Sequence, residues 1–178
     1  SCAAGSSATD EFPVEKDQTY RIRIGGLASS PSGSGTFQID VIPPPALFNE
    51  IRVDQPGDDT DEFIELKGLP QILDGFWIVS LGDDDQDGSG VVETALDLTG
   101  AIIGANPYFV IAEDTFSLGL ADWSAGTDGL DLENEDNITL LVVENFSGSP
   151  ADDLDLDDDG VLDLQPWSQV IDSIALLA

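Results

Sequence analysis

Histidine is absent from the 178 residues, and cysteine occurs once, as Cys2. Without histidine there is no Ser-His or Cys-His catalysis, no imidazole metal ligand and no histidine pH switch. A single cysteine forms neither an internal disulfide nor a thiolate zinc site. Cations are scarce too: five Lys and Arg stand against 36 Asp and Glu, a formal net charge of −31. Nucleic acids are bound by clustered cations that displace counterions, so DNA and RNA are excluded as partners. An anionic membrane surface fails for the same reason. No apolar run approaches the ~20 residues of a membrane span, so no membrane insertion is expected. The chain begins at Ser1 without a signal-peptide pattern, as expected of a cytosolic chain or of one already processed.

What the chain does contain is a folding composition. Hydrophobic residues make up 41% of it, and its mean hydropathy is close to zero, unlike an acidic disordered tail. Its length makes room for one medium domain, or one domain with an appendage. A globular chain this acidic needs a counter-charge for its carboxylates. Divalent cations are the first candidate.

The organisation changes near residue 45. Tyr20, Ile22 and Ile24 alternate with Arg21 and Arg23, and Phe37, Ile39 and Val41 alternate with Gln38 and Asp40. This period of two on either side of a Gly/Ser-rich stretch predicts a β-hairpin. Pro43, Pro44 and Pro45 end it, because proline cannot donate a ladder hydrogen bond and favours an extended linker. The domain division is therefore 1–45, a hairpin segment with its linker, and 46–178, the main domain. Up to Ala46 the net charge is −2; from Leu47 onward Arg52 and Lys67 face 31 acids, a net charge of −29.

In the main domain short strands are predicted over 47–53, 62–66, 76–81, 91–98, 108–111, 138–143 and 169–176. No long stretch has a helical period with capping signals. Short strands separated by Gly, Asp and Pro turns point to an all-β sandwich.

The sharpest motif lies late in the chain. Asp155, Asp157 and Asp159 occupy loop positions 1, 3 and 5, where carboxylates converge on one hard cation. Gly160 permits the sharp turn, the carbonyl of Val161 supplies another oxygen, and Asp163 ligates directly or through water. The loop is not an EF-hand, which has a bidentate Glu at position 12; Pro166 stands there. A solvated acidic turn is the plain alternative. Four spaced carboxylates with the glycine favour calcium, Ca2+. A second copy of the spacing, Asp83, Asp85 and Asp87 before Gly88, has Val91 at position 9, where Glu93 is a substitute. Asp58, Asp59, Asp152 and Asp153 read as solvated or outer-shell acids.

An enzymatic reading rests on carboxylate pairs alone, such as Asp61, Glu62 and Glu65, which suit glycoside hydrolysis or two-metal phosphoryl chemistry. Neighbours on a strand point to opposite faces, and no lysine, histidine or nucleophile motif accompanies them, so no catalytic residues and no enzyme activity are expected. Trp77, Trp123 and Trp167 suit core packing better than sugar stacking. Asn137-Ile138-Thr139 and Asn145-Phe146-Ser147 are sequons. Cys2 is either unpaired or joined to another chain.

Leu47 to Ile51, then Asp61 to Leu66, resemble the opening strands of lamin-tail domains. Leu132 to Leu140 is similar to the family's approach to a late strand. Asp155 to Asp163, with Pro166-Trp167 and Val170 to Ser173, resembles the ending of bacterial secreted members. After Leu66 the family often continues with an aromatic and Asn, where this chain has Lys67-Gly68. Thr19 to Gly26 and Gly35 to Val41 are similar to the last hairpin of bacterial pre-peptidase-like C-terminal domains. The resemblance implies an immunoglobulin-like β-sandwich used as an accessory or surface module, sometimes beside secreted nucleases and phosphatases. The expected role is a non-enzymatic, calcium-stabilised structural or adhesive module at the cell surface. The expected partners are copies of itself in a surface polymer or filament, with a glycan or other surface ligand as a further candidate. The alternative is an accessory domain cleaved from a larger secreted hydrolase, a nuclease or phosphatase.

Overall fold

A computed structural model describes residues 19–22, 36–39, 46–53, 55, 60–83, 88–127, 129–130, 132 and 137–177. The chain divides into two compact units, Ser1–Asp40 and Val41–Ala178. In the first unit, residues 19–22 and 36–39 lie outside any strand. Tyr20, Ile22, Phe37 and Ile39 are exposed there. The rest of the expected hairpin falls outside the described residues.

The described residues of the second unit are all β, with no helix. The strands are β1 (Ala46–Arg52), β2 (Phe63–Gly68), β3 (Gln71–Ile72), β4 (Phe76–Asp83), β5 (Ser89–Asp97), β6 (Ile102–Ile103), β7 (Tyr108–Glu113), β8 (Trp123–Gly126), β9 (Ile138–Glu144) and β10 (Gln169–Leu176). One four-stranded sheet has the order β1-β2-β7-β8, a second has the order β10-β9-β4-β5, and β3 pairs with β6. All pairings are antiparallel except β7 with β8.

The strand period of two explains how the large sheets meet. Ile64 and Leu66 of β2 and Phe109 and Ile111 of β7 share one core with Ile78 of β4 and Ile138, Leu140 and Val142 of β9. Each such side chain, buried, contributes roughly 1.5–3 kcal/mol of hydrophobic stabilisation. The sheets are also tied at their edges, where the Phe48 N–H of β1 donates to Asp172 Oδ2 of β10 at 2.9 Å. This is the expected all-β, sandwich-like architecture.

A third layer lies on the far side of the second sheet. Val79 and Leu81 of β4, Val92 of β5 and Leu141 and Val143 of β9 form a separate apolar cluster with Phe146 and Leu154. Trp77, Ala95, Leu162 and Trp167 pack against it. Residues 145–168 thus cover the outer face with almost no regular structure. This explains why β9 is apolar at successive positions, Leu140 to Val143: both of its faces are buried.

Each of the seven predicted strands has its counterpart, displaced by no more than a few residues at its ends. The unpredicted ones are β3, β6 and β8. The first two contain two residues each, too few to display a period. Trp123–Gly126 shows no alternation either, and joins β7 only as a parallel neighbour.

Candidate metal centre

The predicted loop sits inside the covering layer. Leu154, 2% exposed, anchors it from one side and Leu162 from the other. The chain leading in runs beside β5: Val92 N–H donates to the Asp152 carbonyl at 2.9 Å, and Leu154 N–H to the Gly90 carbonyl at 3.1 Å. On the way out, Asp163 N–H returns to the Leu154 carbonyl at 2.8 Å. The loop is closed at its base by backbone bonds and held down by two leucines.

Within it, one carboxylate oxygen from each of Asp155, Asp157 and Asp159 comes within 4.8 Å of the others. Oxygens bound to one calcium at about 2.3–2.6 Å are at most about 5 Å apart, so three oxygens this close could be shared by one ion. The donor set is all oxygen and carries no soft ligand, which suits a hard cation. The turn depends on two left-handed residues, Asp158 with φ 53° and Gly160 with φ 82°. Aspartate tolerates that region better than most residues, and glycine enters it freely.

Asp155 differs from its two partners. It is 1% exposed, whereas Asp157 and Asp159 lie at the surface. Ser89 Oγ donates to Asp155 Oδ2 at 2.5 Å, and Gly160 N–H reaches the same oxygen at 2.8 Å. Asp159 N–H donates to Asp155 Oδ1 at 3.2 Å. The Ser89 hydroxyl, above all, and these backbone donors hold the Asp155 carboxyl below the usual carboxylate range, although burial opposes them. Asp155 is therefore kept charged in an almost dry position.

The remaining predicted ligands are arranged differently. Val161 is 67% exposed, and its N–H donates to Asp159 Oδ1 at 2.9 Å. Asp163 Oδ2 accepts the Leu156 N–H at 2.9 Å, bracing the loop instead of joining the group of three. Of the second motif, Asp85 and Asp87 lie outside the described residues, and Asp83 is placed only by its backbone, opposite Ser89 at the end of the β4–β5 pairing. Asp153, expected to be peripheral, accepts the Asp155 N–H at 3.0 Å.

Ser89 is the residue that sequence reasoning missed. Besides its hydroxyl bond, its N–H donates to Asp158 Oδ1 at 3.0 Å. It follows directly on Gly88, so the end of the second acidic motif rests against the first. Gly90 completes the approach: its φ is +75°, and a Cβ there would meet Asp155 Cβ at 2.8 Å. The only trace in the sequence is a small Ser-Gly pair at a strand start, which signals a turn and not a contact 66 residues away.

The carboxylates considered for catalysis are scattered. Asp61 accepts the Ser117 N–H at 2.5 Å, Glu62 is buried and accepts the Leu132 N–H at 3.2 Å, and Glu65 accepts from Asn49 Nδ2 at 2.5 Å. Each fastens a different segment. The tryptophans are half-buried core residues: Trp123 packs on the core between the sheets, while Trp77 and Trp167 flank Phe146 in the outer one, at 5.6 Å and 6.4 Å between ring centroids.

Compared with protein-family models, with curated proteins and with solved structures, the chain finds no match. The site is interpreted from its own residues.

Proposed function

We propose that this chain is a non-enzymatic, calcium-stabilised structural or adhesive module of lamin-tail type, with an immunoglobulin-like sandwich. It works outside the cell, at a bacterial surface, and assembles with copies of itself. The observation that carries this reading is the convergence of Asp155, Asp157 and Asp159 in the loop that covers the outer face of β10-β9-β4-β5. A cation there neutralises clustered carboxylates and clamps an apolar layer that has few ladder bonds of its own. Calcium therefore acts through folding, not through chemistry on a substrate. The extracellular assignment follows from supply, since millimolar calcium fills even weak sites that stay empty in cytosol. For assembly, the support is the exposed apolar side chains of the 1–40 unit, Tyr20, Ile22, Phe37 and Ile39, which ask for a partner surface.

Binding only to the folded state stabilises by RT ln(1 + [L]/Kd), about 2.7 kcal/mol at a hundredfold excess over Kd. Thermal melting in millimolar calcium and in EGTA tests the reading. The expected result is a clear fall in Tm with the chelator and little response in Asp157→Ala, whose exposed side chain can be removed without a cavity. A wild-type melting curve indifferent to EGTA would exclude the site.

A further inference from the structure

A cavity of about 580 Å³ opens on the outer face of β10-β9-β4-β5, between the covering segment and the edge strand β10. The period of two places Val143, Leu141 and Thr139 of β9 on that face. Val143 and Leu141 are buried in the outer cluster, whereas Thr139 is half-buried and pairs with Leu81 of β4. Ser173 of β10 stands opposite Leu141 and is exposed. Gln165 and Trp167 line the cavity from the covering segment. Phe146 stacks against Trp167 with 23° between the ring planes, which holds the indole in place. The side chains of Thr139, Gln165 and Ser173 make no hydrogen bond to another described residue. Asp155 is the one ionisable group in the lining, and its oxygens already accept Ser89 Oγ and the N–H groups of Gly160 and Asp159.

We propose that this cavity is a binding site for a neutral saccharide, with Trp167, Gln165, Thr139 and Ser173 as its contacts. It rests on the adhesive reading above and names the class of ligand. Charge and polarity decide against the other classes. From Leu47 onward the net charge is −29, so an anionic ligand meets repulsion and finds no cation in the lining. A cationic ligand seeks carboxylates, and the single one here is engaged by its own donors. A wholly apolar ligand would strip water from three polar side chains and give them no partner. A neutral sugar matches what remains. The C–H face of its ring lies on the indole, and its hydroxyls donate to and accept from two hydroxyls and an amide, each of which also does both. A few polar groups set in an apolar lining is the usual make-up of a small-molecule site, for which roughly 300–1,000 Å³ is the usual volume.

A glycan array tests this on the full chain in millimolar calcium, with neutral hexose and N-acetylhexosamine oligosaccharides beside sialylated and sulfated ones. The neutral oligosaccharide retained best is then titrated calorimetrically into the wild type and into the double variant Gln165→Ala, Ser173→Ala. Both side chains are exposed, so the variant should keep the wild-type Tm. The expected result is retention of neutral glycans and a dissociation constant about tenfold higher or more in the variant, as for two lost hydrogen bonds. Equal affinity in the two proteins, or retention of acidic glycans only, would overturn the site. A chain that retains no neutral glycan but melts earlier in EGTA would overturn the saccharide site and leave the calcium-stabilised module standing. Indifference to EGTA as well would overturn both.

Discussion

The outer faces of the two large sheets were solved in opposite ways. On β1-β2-β7-β8 the outward residues Glu65, Lys67, Tyr108 and Val110 reach the surface, and Phe116 covers only Phe63 at one end, with ring centroids 5.6 Å apart. On β10-β9-β4-β5 the same positions are apolar, and residues 145–168 lie over them. The first face needs only alternation. The second needs a third layer, and its cover is a segment rich in Asp, the residue type least suited to covering anything. The two roles are reconciled by position: Phe146, Leu154, Leu162 and Trp167 face the sheet, while the aspartates between them accept backbone N–H groups. Irregular chain can therefore serve as a layer when carboxylates replace the ladder and a few large side chains carry the packing.

The largest effect should come from removing an anchor of the covered face. Leu154→Ala opens a cavity under the loop, for which about 2–5 kcal/mol is the usual cost. Val110→Ala on the open face should cost about 1 kcal/mol. Urea denaturation of the two variants measures the difference; equal losses would mean that the cover contributes nothing special.

A smaller effect separates backbone strain from contact. Gly90 and Gly100 both have positive φ, at +75° and +91°, but only Gly90 has Asp155 against it, and nothing lies within 4 Å of a Cβ at Gly100. Gly100→Ala should destabilise by about 1 kcal/mol through conformation alone. Gly90→Ala should destabilise by more and should also weaken calcium binding, read by the Tm difference between calcium and EGTA. Equal behaviour in both variants would break the link between the β5 start and the loop.

The smallest effect is the dependence on acid. The carboxyl of Asp155 is held below its ordinary value of 3.8 in the folded chain. A group with a lowered folded pKa stabilises fully above the unfolded value and loses that contribution as pH falls through the folded one. The covered face should therefore lose protection below about pH 3.8, while β2 and β7 keep theirs longer. Ser89→Ala removes the main cause of the shift, so its Asp155 should titrate closer to 3.8. Hydrogen exchange and carboxyl NMR titration without calcium follow both.

Much of this was legible from one residue to the next. The all-β class, the seven longer strands and the carboxylates at 155, 157 and 159 were readable because each is local: a period of two, a turn residue, a fixed spacing. Fewer residues than a period needs hid β3 and β6, and the parallel pairing of β8 has no local signature at all. The sequence offered Asp163 as a ligand directly or through water and Val161 through its carbonyl; what it did not show is that one Asp163 oxygen accepts the Leu156 N–H. Composition by itself determined that the chain is acidic and lacks histidine, and the local alternation with its turns determined that it packs as sheets. Only tertiary structure decided that Leu154 and Leu162 reach the outer face of β4 and β9, and that Ser89 meets Asp155. Those contacts join positions far apart in the chain, and nothing local about a serine or a leucine encodes which distant surface it will touch.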